Sequence, residues 1–177
     1  MEKAEKDRLL EELMIAYGDE LLRLAFAYVR EKELAKGLVQ NTFVKCYENL
    51  EAFRYEAQIR TWLYRIAINE CKDYLKSWHY RKVQVKDILL HYRFTTSSVE
   101  QKVMKNANDQ ELREMVFSLP PKYREVISLY YFHSLKIGEI AEVTRLHVNT
   151  VKTRLRRAKQ QLKSKLEEGE NDGQKKG

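Results

Sequence analysis

At 177 residues and 21.2 kDa, the chain has room for one medium domain or two small ones. A charged fraction of 33% beside only six glycines and two prolines favours helices over strands, and a net charge of +7 points to a polyanionic partner, either nucleic acid or an anionic membrane surface. No run of about 18 apolar residues exists to span a bilayer, and the charged start MEKAEKDRLLEELM lacks a signal peptide's apolar stretch, so the expected location is the cytoplasm.

The spacing predicts a first helical block from about Asp7 to Tyr80. Leu10, Leu13, Met14, Tyr17, Leu21, Leu24, Ala25 and Tyr28 recur at helical intervals. A second helix is expected over Lys32 to Leu50, with Leu34, Leu38, Val39, Thr42, Phe43, Cys46 and Tyr47 inward. A third is expected over Ile59 to Trp78, with Ile59, Trp62, Leu63, Ile66, Ala67 and Tyr74 on one side and a polar stripe of Arg65, Asn69, Lys72 and Lys76 beside it. From Phe53 to Lys82 seven Lys or Arg and seven aromatics stand against three acidic residues, an interleaving that suits capture of unstacked bases. Trp62 and Tyr74 are expected in the core, which leaves Trp78 and Tyr80 as freer aromatics.

Periodicity degrades over the middle, and 81–106 reads as a linker with residual helix and cap signals at Ser97 and Ser98. A second block follows over 107–166. Glu111 to Ser118 reads as a helix; Pro120 and Pro121 end it and open the next, which carries Val126, Ile127, Leu129, Tyr130 and Phe132. A short helix, Ile137 to Val143, precedes a turn and a strongly basic helix, and the polar tail 167–177 is expected to be disordered.

Chemistry-bearing patterns are sparse. Cys46 and Cys71 form no CxxC and read as reduced, semi-buried thiols. His79, His91, His133 and His147 lack metal-ligand spacing, and no GxSxG, Walker loop or Gly-rich cradle exists. The expectation is a non-enzyme with no metal, no cofactor and no small-molecule substrate.

The basic helix is the most informative stretch. From Arg145 to Lys165 the chain has eight Lys or Arg and no Asp or Glu. At 100° per residue, Val151, Leu155, Ala158 and Leu162 form a thin apolar seam, and Asn149, Thr153, Arg156, Arg157 and Gln160 lie opposite. Lys152, Arg154 and Lys159 flank that face. Short polar groups and arginines on one face suit base edges in the major groove, with shoulder cations on phosphates. The preceding short helix and turn would complete a helix-turn-helix, the alternatives being a solvated basic surface helix or an RNA or lipid binder.

The stretch LPPKYREVISLYYFHSLKIGEIAEVTRLHVNTVKTRLRRAKQQL resembles the C-terminal DNA-binding domain of bacterial sigma factors of the extracytoplasmic-function (ECF) group. It has Leu119-Pro120, Arg124, Glu139-Ile140-Ala141-Glu142, and Thr150-Val151-Lys152-Thr153-Arg154-Leu155-Arg156-Arg157-Ala158 where that family has its motif. The first block is similar as well: LVQNTFVKCY resembles the polymerase-binding helix, and TWLYRIAINECKDYLK the Trp-Leu-x-x-Ile-Ala-x-Asn-x-x-x-Asp segment. The resemblance implies an all-α chain of two small helical domains, sigma region 2 over 7–80 and sigma region 4 over 107–166, joined by a flexible linker. It implies an alternative sigma factor, in a stress or cell-envelope response, that binds core RNA polymerase and directs it to promoter DNA. An anti-sigma factor, often membrane-anchored, is the further partner implied.

The site residues follow from the same resemblance. Leu38, Val39, Gln40, Asn41 and Phe43 would bind polymerase. Phe53, Arg54, Arg65, Asn69, Lys72 and Lys76 would read and melt the minus-ten element, the loop before the third helix holding an extruded base. Asn149, Thr150, Lys152, Thr153, Arg154, Arg156, Arg157 and Gln160 would read the minus-thirty-five element. Two departures stand out. Lys36-Gly37 and Asn41 occupy places where the family usually has acidic residues, which implies weaker polymerase binding; Arg145 stands where helix-turn-helix turns often carry Gly. The main rival reading is a helix-turn-helix repressor or activator that needs no polymerase; a helical adaptor that binds proteins only is a second.

Overall fold

The computed structural model describes residues 2–53, 58–77 and 107–174. Arg54, Trp78, Tyr80, the linker 81–106 and its cap signals lie outside the described residues. The chain divides into two compact units, Met1–Lys102 and Val103–Gly177.

In the first unit, α1 (Lys3–Val29), α2 (Lys32–Asn49) and α3 (Ile59–Lys76) pack against one another. α1 ends at Arg30, whose φ of 57° turns the chain and whose N–H bonds the Phe26 carbonyl at 2.9 Å. Glu31 then caps α2, its carboxylate accepting from the Glu33 and Leu34 N–H groups at 2.8 and 2.6 Å. A 3₁₀ turn, Leu50–Ala52, follows α2. Leu21, Leu24, Ala35, Cys46, Leu63, Tyr64, Ile68 and Cys71 are fully buried at the centre. Polar ties cross the helices at the rim: Arg60 pairs with Glu20, Lys45 with Glu70, and Tyr47 donates to the Asp7 carboxylate at 2.6 Å.

The inward side of α3 matches the expected one only in part: Leu63 and Ala67 are buried as expected. Trp62, Ile66 and Tyr74 are only half-buried, whereas Tyr64, Ile68 and Cys71 are buried. Apolar residues surround most of this helix, so α1 and α2 decide which side becomes core. Both thiols are fully enclosed, and burial pushes Cys46 up to about 11 and Cys71 up to about 12.

The second unit holds α4 (Ala107–Phe117), α5 (Pro121–Ile127), a π-helical turn (Ser128–Phe132), α6 (Ile137–Thr144) and α7 (Val148–Gln174). Pro121 starts α5, and Arg124 reaches back to the Phe117 carbonyl at 3.0 Å, satisfying the open end of α4. The π turn was not visible in the sequence pattern. Its His133 N–H reaches back to the Ser128 carbonyl, and the widened register leaves Tyr130 and Phe132 exposed while Leu129 is buried. The Glu139 carboxylate accepts from the Lys136 N–H at 2.7 Å and so fixes the start of α6. α6 ends in a Schellman turn, with Arg145 left-handed at φ 57° and the Leu146 N–H on the Ala141 carbonyl at 3.1 Å. α7 continues past Leu166, with helical backbone to Gln174. A Lys163–Glu167 pair one turn apart spans that boundary at 3.7 Å.

Candidate nucleic-acid interfaces

On α7, Val151, Leu155 and Ala158 are buried against α5 and α6, as the wheel requires, and Leu162 is half-buried. Asn149, Lys152, Arg156, Arg157 and Gln160 are exposed; Thr150 and Thr153 are half-exposed. These seven share one accessible surface that carries cations and short polar groups.

Arg154 departs from that set. Its guanidinium turns toward Glu125 of α5, with 3.7 Å between Nη1 and Oε2, and the Glu125 side chain is only 7% exposed. It ties α5 to α7 while its side chain stays partly exposed. Lys159 is also engaged: its ammonium lies 5.7 and 5.6 Å from the ring centres of Tyr130 and Tyr131. A groove of about 400 Å³ runs beside the α7 surface, lined by Asn149, Thr150, Thr153, Arg154 and Arg157 on one wall and by Lys122 and Tyr123 of α5 on the other. Lys122 and Tyr123 were not expected at the site. No periodicity in α7 can report a wall supplied by another helix.

In the first unit a cleft of about 330 Å³ opens between α2 and α3. Trp62, Ile66 and Ala52 form its apolar part, with Asn49 and Asn69 as amides and Lys45, Glu70 and Asp73 as charges. Glu70, hydrogen-bonded to Lys45, holds that ammonium above the usual lysine range. Phe53 stacks on Trp62, with ring centres 4.9 Å apart and planes tilted by 35°. Of the expected melting residues, Asn69 lines the cleft and Phe53 abuts its Trp62 wall. Arg65, Lys72 and Lys76 share the α3 stripe with Asn69 outside the cleft lining. Trp62, expected in the core, is half-buried and lines the cleft.

The expected polymerase-binding set divides. Leu38, Val39 and Phe43 are 5%, 9% and 5% exposed and therefore belong to the core. Gln40 and Asn41 are exposed and join Val44, which is 56% exposed and was not foreseen. An apolar residue within a motif is more often a packing residue, and helical spacing alone does not tell the two apart.

Among the described residues no helix is long and apolar enough to cross a membrane, and no cluster of His, Cys, Asp and Glu is arranged to hold a metal. Comparison with known families matches residues 13–80 to Sigma-70 region 2 and residues 109–162 to Sigma-70, region 4. The chain is 33% identical over 150 residues to the RNA polymerase sigma factor SigV of Bacillus subtilis, covering 85% of this chain and 86% of that one. It is 31% identical over 163 residues to the ECF RNA polymerase sigma-E factor of Salmonella typhimurium strain LT2, covering 88% and 85%. Among solved structures, the sigma factor RpoE in complex with the anti-sigma factor NepR from Bartonella quintana has a similar fold, with a TM-score of 0.72 at 22% identity over 89% of this chain and 96% of that one.

Proposed function

The chain belongs to the sigma-70 family, in its ECF group, and from that membership we propose how it works as an alternative sigma factor. The first unit, through Gln40, Asn41 and Val44 on the open face of α2, docks on core RNA polymerase. The second unit places α7 in the major groove of the minus-thirty-five element. Asn149, Arg156 and Gln160 meet base edges there, and Lys152 grips phosphate. At the minus-ten element, Asn69, Trp62 and Phe53 hold a base released from the stack, while Lys72 and Lys76 steer the strand. The factor works in the cytoplasm, in a stress or cell-envelope response. An anti-sigma factor restrains it, as NepR is bound to RpoE in the similar structure.

The observation that carries this reading is the order of the two regions, region 2 over 13–80 and then region 4 over 109–162, in one chain. A repressor needs the second unit alone. The test is run-off transcription with purified core polymerase, with and without this protein, on pooled promoter fragments. Discrete new start sites that share two upstream elements are the expected result. Binding to DNA without any new start would favour the repressor.

A further inference from the structure

The groove beside α7 has two walls, and only one of them is the recognition helix. The other is Lys122 and Tyr123, at the start of α5. Three cations border the groove: Lys122, Arg154 and Arg157. Glu125 neutralises Arg154 from behind. Among the described residues neither Lys122 nor Arg157 has an acidic partner, so the groove keeps two positive charges. The Thr150 and Thr153 side chains on the α7 wall add hydroxyl donors. Lys122 is exposed, and its ammonium is held over the Tyr123 ring at 5.0 Å, while Tyr123 itself is 7% exposed. A buried ring thus limits where that flexible side chain can go.

We propose that this groove is a seat for one backbone phosphate of the promoter duplex, gripped by Lys122 from α5 and by Arg157, Thr150 and Thr153 from α7. The inference rests on α7 being the DNA-reading helix and adds a contact from outside it. Phosphate fits better than a base edge on two grounds. An ammonium is a compact point charge without the planar fork of a guanidinium, and it suits the negative charge of a phosphate. Base edges lie at the floor of the major groove, reached by the outward face of α7; a residue one helix away meets the groove's rim, where the sugar-phosphate backbone runs.

The test compares wild-type, Lys122→Ala and Lys122→Arg proteins, each assembled with core polymerase on promoters found by run-off transcription. Promoter affinity is followed between about 50 and 200 mM salt. Loss of one phosphate contact makes the slope of log affinity against log salt less negative by about 0.9. Lys122→Ala is expected to show that change, with the same fold-loss on every promoter, and Lys122→Arg to restore the slope. An unchanged slope for Lys122→Ala, or a re-ranking of promoters, would overturn the phosphate seat and leave the sigma reading standing. Wild-type protein that yields no new starts would overturn that reading, and the seat with it.

Discussion

Arg154 reaches from α7 back to Glu125 on α5, 3.7 Å from Nη1 to Oε2, although its place in the sequence is among the cations expected to face DNA. The pair joins α7 to α5, the helix it packs on. Glu125 is nearly enclosed and Arg154 is about a quarter exposed. Removing the cation takes one charge partner from a nearly buried carboxylate. The cost lies between the ~1 kcal/mol of an exposed pair and the ~3–5 kcal/mol of breaking a fully buried one. Arg154→Ala should therefore destabilise the second unit by about 2 kcal/mol in denaturant unfolding. It should weaken all promoters alike. A promoter re-ranking with unchanged stability would return Arg154 to the base-reading set.

Arg156→Ala offers the contrast. Arg156 is exposed on the same helix, on the face opposite the buried seam. If it contacts a base, its loss costs about 1–3 kcal/mol on promoters that carry that base and little elsewhere. The unfolding midpoint should not move. Equal losses on every promoter would assign Arg156 to phosphate instead.

How much of this could be read from the sequence depended on where each residue's partner lies. The seam of Val151, Leu155 and Ala158 was legible because its period is a property of one helix. The pairing of Arg154 with Glu125 was not, because it joins two helices and leaves no mark on either one's spacing. α3 shows a related limit. Trp62, Leu63, Tyr64, Ile66, Ala67 and Ile68 make it apolar around most of its circumference, so its buried side is fixed only when α1 and α2 close on it. Its family motif singled out Asn69, which lines the cleft; the cleft wall formed by Trp62 and Ile66 needed the packed helices.

Gly37 lies inside α2, and a methyl group added there would meet nothing within 4 Å. The position is open, so the glycine serves no close approach. Gly37→Ala should stabilise the first unit by about 0.5–1 kcal/mol, the helix-propensity difference. Gly37→Asp adds a carboxylate on the same face as Gln40 and Val44, where charge-assisted contacts to polymerase are each worth about 1.5–3 kcal/mol. Binding to core polymerase should tighten at least tenfold for Gly37→Asp and stay level for Gly37→Ala. Equal tightening in both would assign the gain to helix formation, and none in either would remove the charge argument.

Arg145 takes the left-handed conformation, φ 57° and ψ 36°, at the turn between α6 and α7. The Schellman closure demands it: the Leu146 N–H reaches the Ala141 carbonyl only if the preceding residue turns that way. A side chain with a Cβ is strained there by about 1–3 kcal/mol, while glycine adopts the conformation freely but loses about 0.5–1 kcal/mol through its more disordered unfolded state. Arg145→Gly should thus raise the stability of the second unit by about 1 kcal/mol. A β-branched replacement, Arg145→Val, should lower it. Thermal unfolding of the two variants gives the comparison, and a loss in both would mean that the Arg145 side chain supports the turn by more than its backbone.

The cleft between α2 and α3 gives the last prediction. Asn69 lines it without being part of the buried core, whereas Trp62 is both half-buried and stacked on Phe53. A base seated against the Trp62 ring gains about 1–3 kcal/mol of stacking. Holoenzyme capture of a single-stranded minus-ten oligonucleotide should weaken about tenfold or more for both Asn69→Ala and Trp62→Ala. Only Trp62→Ala should also lower the melting temperature, because only it removes packing. Trp62→Phe keeps an aromatic face and should retain most of the capture. If Asn69→Ala binds the oligonucleotide as wild type does, that side chain has no part in holding the base. If Trp62→Phe fails as badly as Trp62→Ala while remaining folded, the contact is specific to the indole and not a general stacking surface.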